Sequence, residues 1–114
     1  MSAPDQVRCR HIICKHNKSR NPVSRRTGQP ITISEEAAIE ELKKIKETLT
    51  AANFAEVAEQ RSDCSSFAKG GDLGFFGRGE MDGNFEAAAF KLNVGEISDV
   101  VLSSSGAHLI LRIA

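Results

Sequence analysis

The chain has 114 residues, which suits one domain, and its 40% hydrophobic and 26% charged residues are ordinary for a globular protein. No apolar run approaches the roughly 18 residues of a membrane-spanning helix, and the N-terminus lacks the apolar segment of a signal peptide. Three cysteines do not make a disulfide framework, since their number is odd and small. We therefore expect a cytoplasmic or nuclear protein without membrane partners.

The net charge of zero conceals a separation of charge along the chain. Residues 6–34 contain no acidic side chain and seven of the 15 basic ones, so this window carries +7 and the remainder, with eight basic and 15 acidic groups, carries −7. Such a window attracts phosphate, nucleic acid or an acidic protein. Nucleic acid is the less favoured partner, because the chain has no Trp or Tyr and no aromatic residues interleave with the basic ones.

Alternating side chains predict a strand over residues 7–16. One face would carry Val7, Cys9, His11, Ile13 and Lys15, and the other Arg8, Arg10, Ile12, Cys14 and His16. Residues 17–30 then form a polar loop with two prolines and four basic residues.

Three helices follow from caps and helical periodicity. Ser34 is expected to cap a helix reaching about Thr50, since apolar residues recur along one face at Ala38, Leu42, Ile45 and Leu49. Asn53, followed by Glu56, predicts a short capped helix through Phe54, Val57 and Ala58. Asn84 is expected to cap a third helix over 85–92.

Glycine is dense over residues 62–81, which indicates tight turns or close backbone approach, with a short strand near 72–76. Residues 100–102 and 107–113 predict a hairpin around the Ser-Ser-Ser-Gly turn at 103–106. Strands at both ends with helices between them indicate an α+β domain, with one sheet covered by helices. We assign residues 1–6 to a short tail and residues 7–114 to the domain.

Two histidines and a cysteine are candidates for chemistry. His11 and His108 lie in the terminal strands, which often pair, so their imidazoles could meet; a hydrogen-bonded core histidine is the commoner outcome. Cys64 could be a nucleophile with a histidine base and with Asp63 and nearby serines as hydrogen-bond partners, although a lone loop cysteine is more often inert.

Metal and nucleotide sites are not expected. Cys9 and His11 would lie on the opposite strand face from Cys14 and His16, so these four side chains cannot surround one zinc ion. The glycine-containing segments 69–72 and 77–79 lack the glycine spacing of phosphate-binding or dinucleotide-binding loops. We therefore predict no metal and no cofactor.

Six segments together resemble the parvulin family of peptidyl-prolyl cis/trans isomerases, and the resemblance runs from Val7 to Ile113. They are Val-Arg-Cys-Arg-His-Ile-Ile-Cys-Lys-His at 7–16, Ser-Asp-Cys-Ser-Ser at 62–66, Gly-Asp-Leu-Gly at 71–74, Gly-Glu-Met at 79–81, Phe-Glu at 85–86 and Ser-Gly-Ala-His-Leu-Ile at 105–110. The Asp-Cys-Ser-Ser element and the basic loop are most similar to the branch that prefers phosphoserine- or phosphothreonine-proline bonds. That branch often carries a WW module, and the absence of Trp makes this chain similar to the catalytic domain alone.

The resemblance implies a fold and a set of roles. The fold is a four-stranded antiparallel sheet surrounded by about four helices in the order βαααβαββ. The catalytic residues would be the paired His11 and His108, with Ser105 close to them and Cys64 beside the twisting amide. The proline pocket would be formed by Leu73, Phe76, Met81 and Phe85, and phosphate would be held by Lys15 and Arg20.

One departure concerns the phosphate site, because this branch carries two adjacent arginines and here Arg20 is followed by Asn21. Arg25 and Arg26 could substitute if the loop folds back. The expected function is isomerisation of phosphorylated Ser/Thr-Pro segments in client proteins, by a monomer. The alternatives are a parvulin without phosphate preference that assists folding in general, and a module that binds phosphoproteins or nucleic acid with little turnover.

Overall fold

The computed structural model describes residues 5–114. Its elements are β1 (Gln6–Cys14), α1 (Glu35–Lys46), α2 (Phe54–Arg61), a 3-10 helix (Ser65–Lys69), β2 (Asp72–Gly77), α3 (Gly83–Lys91), β3 (Val101–Ser103) and β4 (Gly106–Arg112). This order confirms the α+β prediction and the sequence βαααβαββ, in which the third helical element is the 3-10 helix. Gln6, assigned above to the tail, begins β1, and residues 1–4 of the predicted tail lie outside the described residues.

All strand pairs are antiparallel, in the spatial order β2-β1-β4-β3. The two terminal strands pair in the centre of the sheet, as predicted, with His11 opposite Ile110 and Ile13 opposite His108. Because side chains of successive residues alternate between faces, this register places His11 and His108 on the same face of the sheet.

The alternation along β1 supplies two apolar clusters, one on each face of the sheet. Helices α1 and α2 cover one face, where the larger cluster includes Ile12, Cys14, Leu42 and Phe54. Helix α3 covers part of the other face, where Val7, Cys9, Phe76, Phe85, Ala89, Leu92 and Ile110 pack together. The predicted separation of Cys9 from Cys14 is therefore present in the fold.

The helix caps differ from the prediction at two of three positions. Ser34 Oγ accepts from the Ala37 backbone N–H at 3.1 Å, as expected for an N-cap. Asn53 precedes α2 but makes no capping bond, because its side chain bonds instead to the backbone of Thr48 and Thr50. Asp82, not Asn84, caps α3 and accepts from the N–H of Asn84 at 2.9 Å.

Helix α1 is also shorter than predicted, since it ends at Lys46 and not near Thr50. Leu49 lies in the segment after the helix and nevertheless packs against the larger apolar cluster. The apolar spacing therefore predicted correctly that Leu49 contacts the core, but it predicted the end of the helix wrongly. No helix within residues 5–114 has the length and apolar character needed to cross a bilayer.

Candidate active site

A cavity of about 320 Å³ opens on the face of the sheet that α3 covers only in part. It lies within the size range of ligand pockets. Its walls come from β1, the loop after β1, the segment after α2, β2, the start of α3 with the residues just before it, and the β3–β4 hairpin. They comprise His11, Ile13, Lys15, Arg20, Asn21, Arg25, Cys64, Ser65, Leu73, Met81, Asp82, Phe85, Ser103, Ser105 and His108. Ten of the twelve residues predicted for the site are among them.

The two histidines form a buried hydrogen-bonded pair at the floor of the cavity. His11 Nδ1 lies 3.1 Å from His108 Nδ1, and the two rings stack with their centroids 5.3 Å apart. One Nδ1 must donate and the other accept. Burial, together with the charge of His11, lowers the pKa of His108 to about 3, so His108 is neutral at physiological pH. The two histidines are thus hydrogen-bonded core residues and also partners of each other, so both interpretations drawn from the sequence apply.

The hydroxyl bonded to this pair belongs to Ser103, which the sequence prediction did not name. Ser103 Oγ lies 2.6 Å from His108 Nε2 and accepts from the backbone N–H of Ser105 at 3.1 Å. Ser105 lines the cavity, but its link to the histidines in this structure runs through Ser103. The predicted closeness of Ser105 to the histidines is compatible with its place in the same cavity, but the hairpin register directs Ser103, and not Ser105, toward His108.

Cys64 differs chemically from the other two cysteines. Burial raises its pKa, but the neighbouring His11 and Ser66 lower it more, to about 6. His11 Nε2 is buried and forms no hydrogen bond of ordinary geometry within residues 5–114. The action of His11 on the thiol is therefore better described as electrostatic than as a short hydrogen bond. With a pKa of about 6, Cys64 carries far more thiolate at neutral pH than Cys9 or Cys14.

Asp63 does not serve Cys64 in the way proposed from the sequence. Its carboxylate turns away from the cavity and accepts from the Lys15 backbone N–H at 3.0 Å and from Arg61 at 3.2 Å. The reason is that the segment after α2 runs beside the end of β1, where the Asp63 N–H also donates to the Ile13 carbonyl at 2.9 Å.

Three cations line the cavity. Arg20 and Arg25 are exposed, whereas Lys15 is 7% exposed and donates through Nζ to the Val23 carbonyl at 2.8 Å. Burial and the nearby charge of Arg25 lower the pKa of Lys15. Arg26 does not line the cavity, contrary to the prediction; it borders a separate depression beside Glu41 and Arg61.

The loop after β1 does fold back, which is what brings Arg25 to the cavity. The Arg25 backbone N–H donates to the Asp63 carbonyl at 2.8 Å, and Val23 bridges to Pro30. Adjacent loop residues point in different directions, so only one member of the Arg25–Arg26 pair faces the cavity. Sequence spacing alone does not distinguish them.

The apolar part of the cavity is formed by Leu73, Met81 and Phe85. Phe76, predicted as a further wall, is 2% exposed and lies behind Phe85, with the two ring centroids 6.0 Å apart. Phe85 also packs edge-on against His108 at 5.1 Å. Phe76 therefore supports the pocket and does not line it.

The glycine-rich segment brings this apolar wall close to the histidines. Gly71 accepts from the His11 N–H at 2.9 Å and has φ +79°, and a Cβ there would lie 2.3 Å from the His11 carbonyl oxygen. Only glycine permits that approach. Leu73 follows two residues later, so the close contact at Gly71 sets the distance between the apolar wall and His11.

Comparison with known proteins identifies relatives over nearly the whole chain. The family described as "Rotamase: PPIC-type PPIASE domain" matches residues 11–114. The chain is 48% identical to peptidyl-prolyl cis-trans isomerase Pin1 of Arabidopsis thaliana, over 100% of both chains. It is 51% identical to peptidyl-prolyl cis-trans isomerase ESS1 of Saccharomyces cerevisiae, over 96% of this chain and 66% of that protein. The structure of ESS1 from Candida albicans matches with a TM-score of 0.90 and 40% identity, over 96% of this chain and 63% of that one.

Proposed function

The chain belongs to the PPIC-type (parvulin) family of peptidyl-prolyl cis/trans isomerases, and we propose that it acts on phosphoserine-proline and phosphothreonine-proline bonds. The observation that carries the proposal is that one cavity joins an apolar pocket to three cationic side chains. A proline ring would fill the pocket of Leu73, Met81 and Phe85, and the phosphate on the preceding residue would meet the cations. We further propose that the substrates of this protein are client proteins of the cytoplasm or nucleus.

The cationic residues match the charge of a phosphoryl group. A phosphoserine carries about −1.5 to −2 charges at neutral pH. The Arg20 and Arg25 guanidinium groups can each bind phosphate oxygens bidentately, whereas Lys15 adds a point charge. Arg25 thereby compensates for Asn21, the position where the resemblance implies a second arginine. Arg26 has no part in this proposal, because it does not border the cavity.

The required acceleration is within the reach of non-covalent catalysis. The barrier to X–Pro rotation is about 18–20 kcal/mol, and the uncatalysed step takes roughly tens to hundreds of seconds. About a hundred turnovers per second then needs roughly a 10⁴-fold gain, or about 5.5 kcal/mol. A site that binds the twisted amide more tightly than either planar form supplies this gain without a covalent intermediate.

The Cys64 thiolate provides a means of favouring the twisted form. A planar amide places partial negative charge on its carbonyl oxygen by resonance, and twisting withdraws that charge. A thiolate facing the oxygen therefore disfavours the planar states more than the twisted one. In this mechanism Cys64 sets the electrostatic environment and attacks nothing. Complete loss of activity in Cys64→Ser together with a trapped covalent adduct in the wild type would contradict it.

The decisive experiment measures cis/trans exchange by NMR on Ser-Pro, Glu-Pro and phosphoSer-Pro peptides of otherwise identical sequence. We expect strong preference for phosphoSer-Pro in the wild type. Arg20→Ala and Arg25→Ala should each reduce that preference about 10- to 100-fold, because each removes a charge-assisted contact worth about 1.5–3 kcal/mol. Arg26→Ala is the matched control and should retain the preference.

The other outcomes separate the competing functions. Comparable rates on all three peptides would reveal an isomerase without phosphate preference. Binding of phosphopeptide without exchange would indicate a binding module. Equal losses on phosphorylated and plain peptides in Arg20→Ala and Arg25→Ala would show that these arginines do not recognise phosphate.

A further inference from the structure

Asp63 connects two of the cation-bearing segments, although its own side chain lies outside the cavity. Its carboxylate accepts from the Lys15 backbone N–H at 3.0 Å. Its carbonyl accepts from the Arg25 backbone N–H at 2.8 Å, and its own N–H donates to Ile13 at 2.9 Å. One residue thus holds the end of β1 and the loop after it, and it also directly precedes Cys64.

The Asp63 carboxylate is an unusually demanding group to bury. Its side chain is 1% exposed, and an ionised carboxylate in such a position requires charged or hydrogen-bonding partners. Arg61, at the end of α2, supplies the cation, with Nη1 3.2 Å from Asp63 Oδ1. Removing that cation would leave the carboxylate with the Lys15 N–H alone.

Arg61 is itself held in place by Glu41 of α1. Arg61 Nη2 donates to Glu41 Oε2 at 2.9 Å, and Nε donates to the other carboxylate oxygen. This bidentate pairing holds the pKa of Glu41 below its usual range. Neither Arg61 nor Glu41 lines the cavity; both border the separate depression on the other side of Asp63.

We infer that Asp63 is a positioning residue for phosphate recognition: Arg61 and Glu41 hold its carboxylate in the orientation that fixes the Lys15 backbone, while its backbone carbonyl fixes that of Arg25. The inference rests on the proposed phosphate preference. The contacts run in one continuous chain from α1 through Glu41, Arg61 and Asp63 to the two cationic segments. Side chains remote from the substrate thereby set the spacing of the groups that would bind phosphate.

The test uses the ratio of kcat/KM on phosphoSer-Pro to kcat/KM on Ser-Pro, measured by NMR exchange on the full chain. Asp63→Asn should lower this ratio about tenfold, mainly through KM, since uniform binding contacts act on KM. The asparagine amide oxygen can still accept from the Lys15 backbone N–H, but the amide NH2 group is a donor and cannot pair with the Arg61 guanidinium. Arg61→Met removes only the remote cation and should lower the ratio about threefold to fivefold. Glu41→Gln should have the smallest effect.

Two controls separate positioning from general destabilisation. Lys46→Met removes a cation from α1 that pairs with Asp99 on the exposed surface, and it should leave the ratio unchanged. Thermal unfolding of each variant shows whether it is folded under assay conditions. If Asp63→Asn does not fold, Arg61→Met alone decides the question.

The results distinguish failure of this inference from failure of the proposed phosphate preference. Suppose that the wild type prefers phosphoSer-Pro, but Arg61→Met and Asp63→Asn keep its ratio or lose activity equally on both peptides. That result would overturn the positioning role only. A wild type without phosphate preference would overturn both. A reduced ratio in Arg61→Met with an unchanged ratio in Lys46→Met is the result that supports the inference.

Discussion

The two faces of the sheet are built from the same strands, but one is closed and the other is open. Helices α1 and α2 cover the first face, where Ile12, Leu42 and Phe54 are completely buried. Helix α3 covers only part of the second face, so its apolar cluster ends in a cavity whose wall includes Met81 and Phe85. Residues of the first face are thus closed into a packed core, whereas those at the edge of the second line the cavity that we propose binds substrate.

The cysteines differ in their chemistry according to whether they line the cavity, and not according to the face of the sheet. Burial raises the pKa of Cys14, in the closed face, to about 12 and that of Cys9 to about 11. Cys64 is also partly buried, but it lies beside His11 and Ser66 at the cavity, and its pKa falls to about 6. Burial alone raises the pKa of a thiol, whereas groups that favour the charged form can lower the pKa of a partly buried thiol.

The largest expected effect is on the closed face. Phe54→Ala should lower the free energy of unfolding by about 3–5 kcal/mol, because it leaves a cavity in a fully packed cluster. The activity per folded molecule should stay unchanged, since Phe54 is remote from the cavity. Urea unfolding combined with NMR exchange measures both quantities. A specific loss of activity in the folded fraction would show that the two faces are coupled.

At the open face we expect a large effect on activity and a small effect on stability. Met81→Ala removes one wall of the proposed proline pocket and should reduce kcat/KM about 10- to 100-fold, because lost apolar contacts in a pocket are worth about 1–3 kcal/mol. The reduction should be equal for phosphoSer-Pro and Ser-Pro, since both present the same ring. The free energy of unfolding should fall less than it does in Phe54→Ala. A loss confined to the phosphorylated peptide would contradict the assignment of this pocket to proline.

Lowering the pH should reveal the difference between the cysteines. Because the pKa of Cys64 is about 6, its thiolate fraction falls about tenfold between pH 7 and pH 5, and activity should fall with it. This folded-state pKa lies below that of an ordinary thiol, so the ionised group also stabilises the fold, and that contribution is lost as the pH falls through about 6.

Alkylation rates across the pH range measure the same ionisation directly. Native protein should be labelled at Cys64 with a midpoint near pH 6, while Cys9 and Cys14 react only after unfolding. The Cys64→Ser variant is the control and should lose both the labelling and the inflection in activity. Labelling of Cys64 that rises only above pH 8 would refute the thiolate.

The smallest effect is expected at the start of α3, beside the open cavity. Asp82→Ala should destabilise the protein by about 1 kcal/mol, because Asp82 accepts from the first N–H groups of the helix. Asp82→Asn retains an accepting oxygen and should cost less. Thermal unfolding of the two variants tests this, and an equal effect of Ala and Asn would show that charge, not the cap, matters.

Much of the fold could be predicted from the sequence because it depends on local patterns. Alternation along residues 7–16 predicted both faces of β1, although the strand ends at Cys14, and Ser34 marked the start of α1. The local signal failed at the start of α3, where the prediction named Asn84 alone as the cap. Asn84 and Asp82 are both good caps, and the approach of the chain to α3 decided in favour of Asp82.

The sequence by itself determined the strand faces, the segregation of positive charge into residues 6–34 and the joint pattern of six segments that led to the family. Only the tertiary structure decided which neighbours face the cavity: Ser103 reaches His108, Arg25 and not Arg26 lines the cavity, and Phe76 lies behind Phe85. These outcomes depend on loop backbone direction and on the register of β3 with β4, which follow from contacts between residues distant in the chain. The low pKa of Cys64 has the same origin, since His11 lies 53 positions earlier in the sequence.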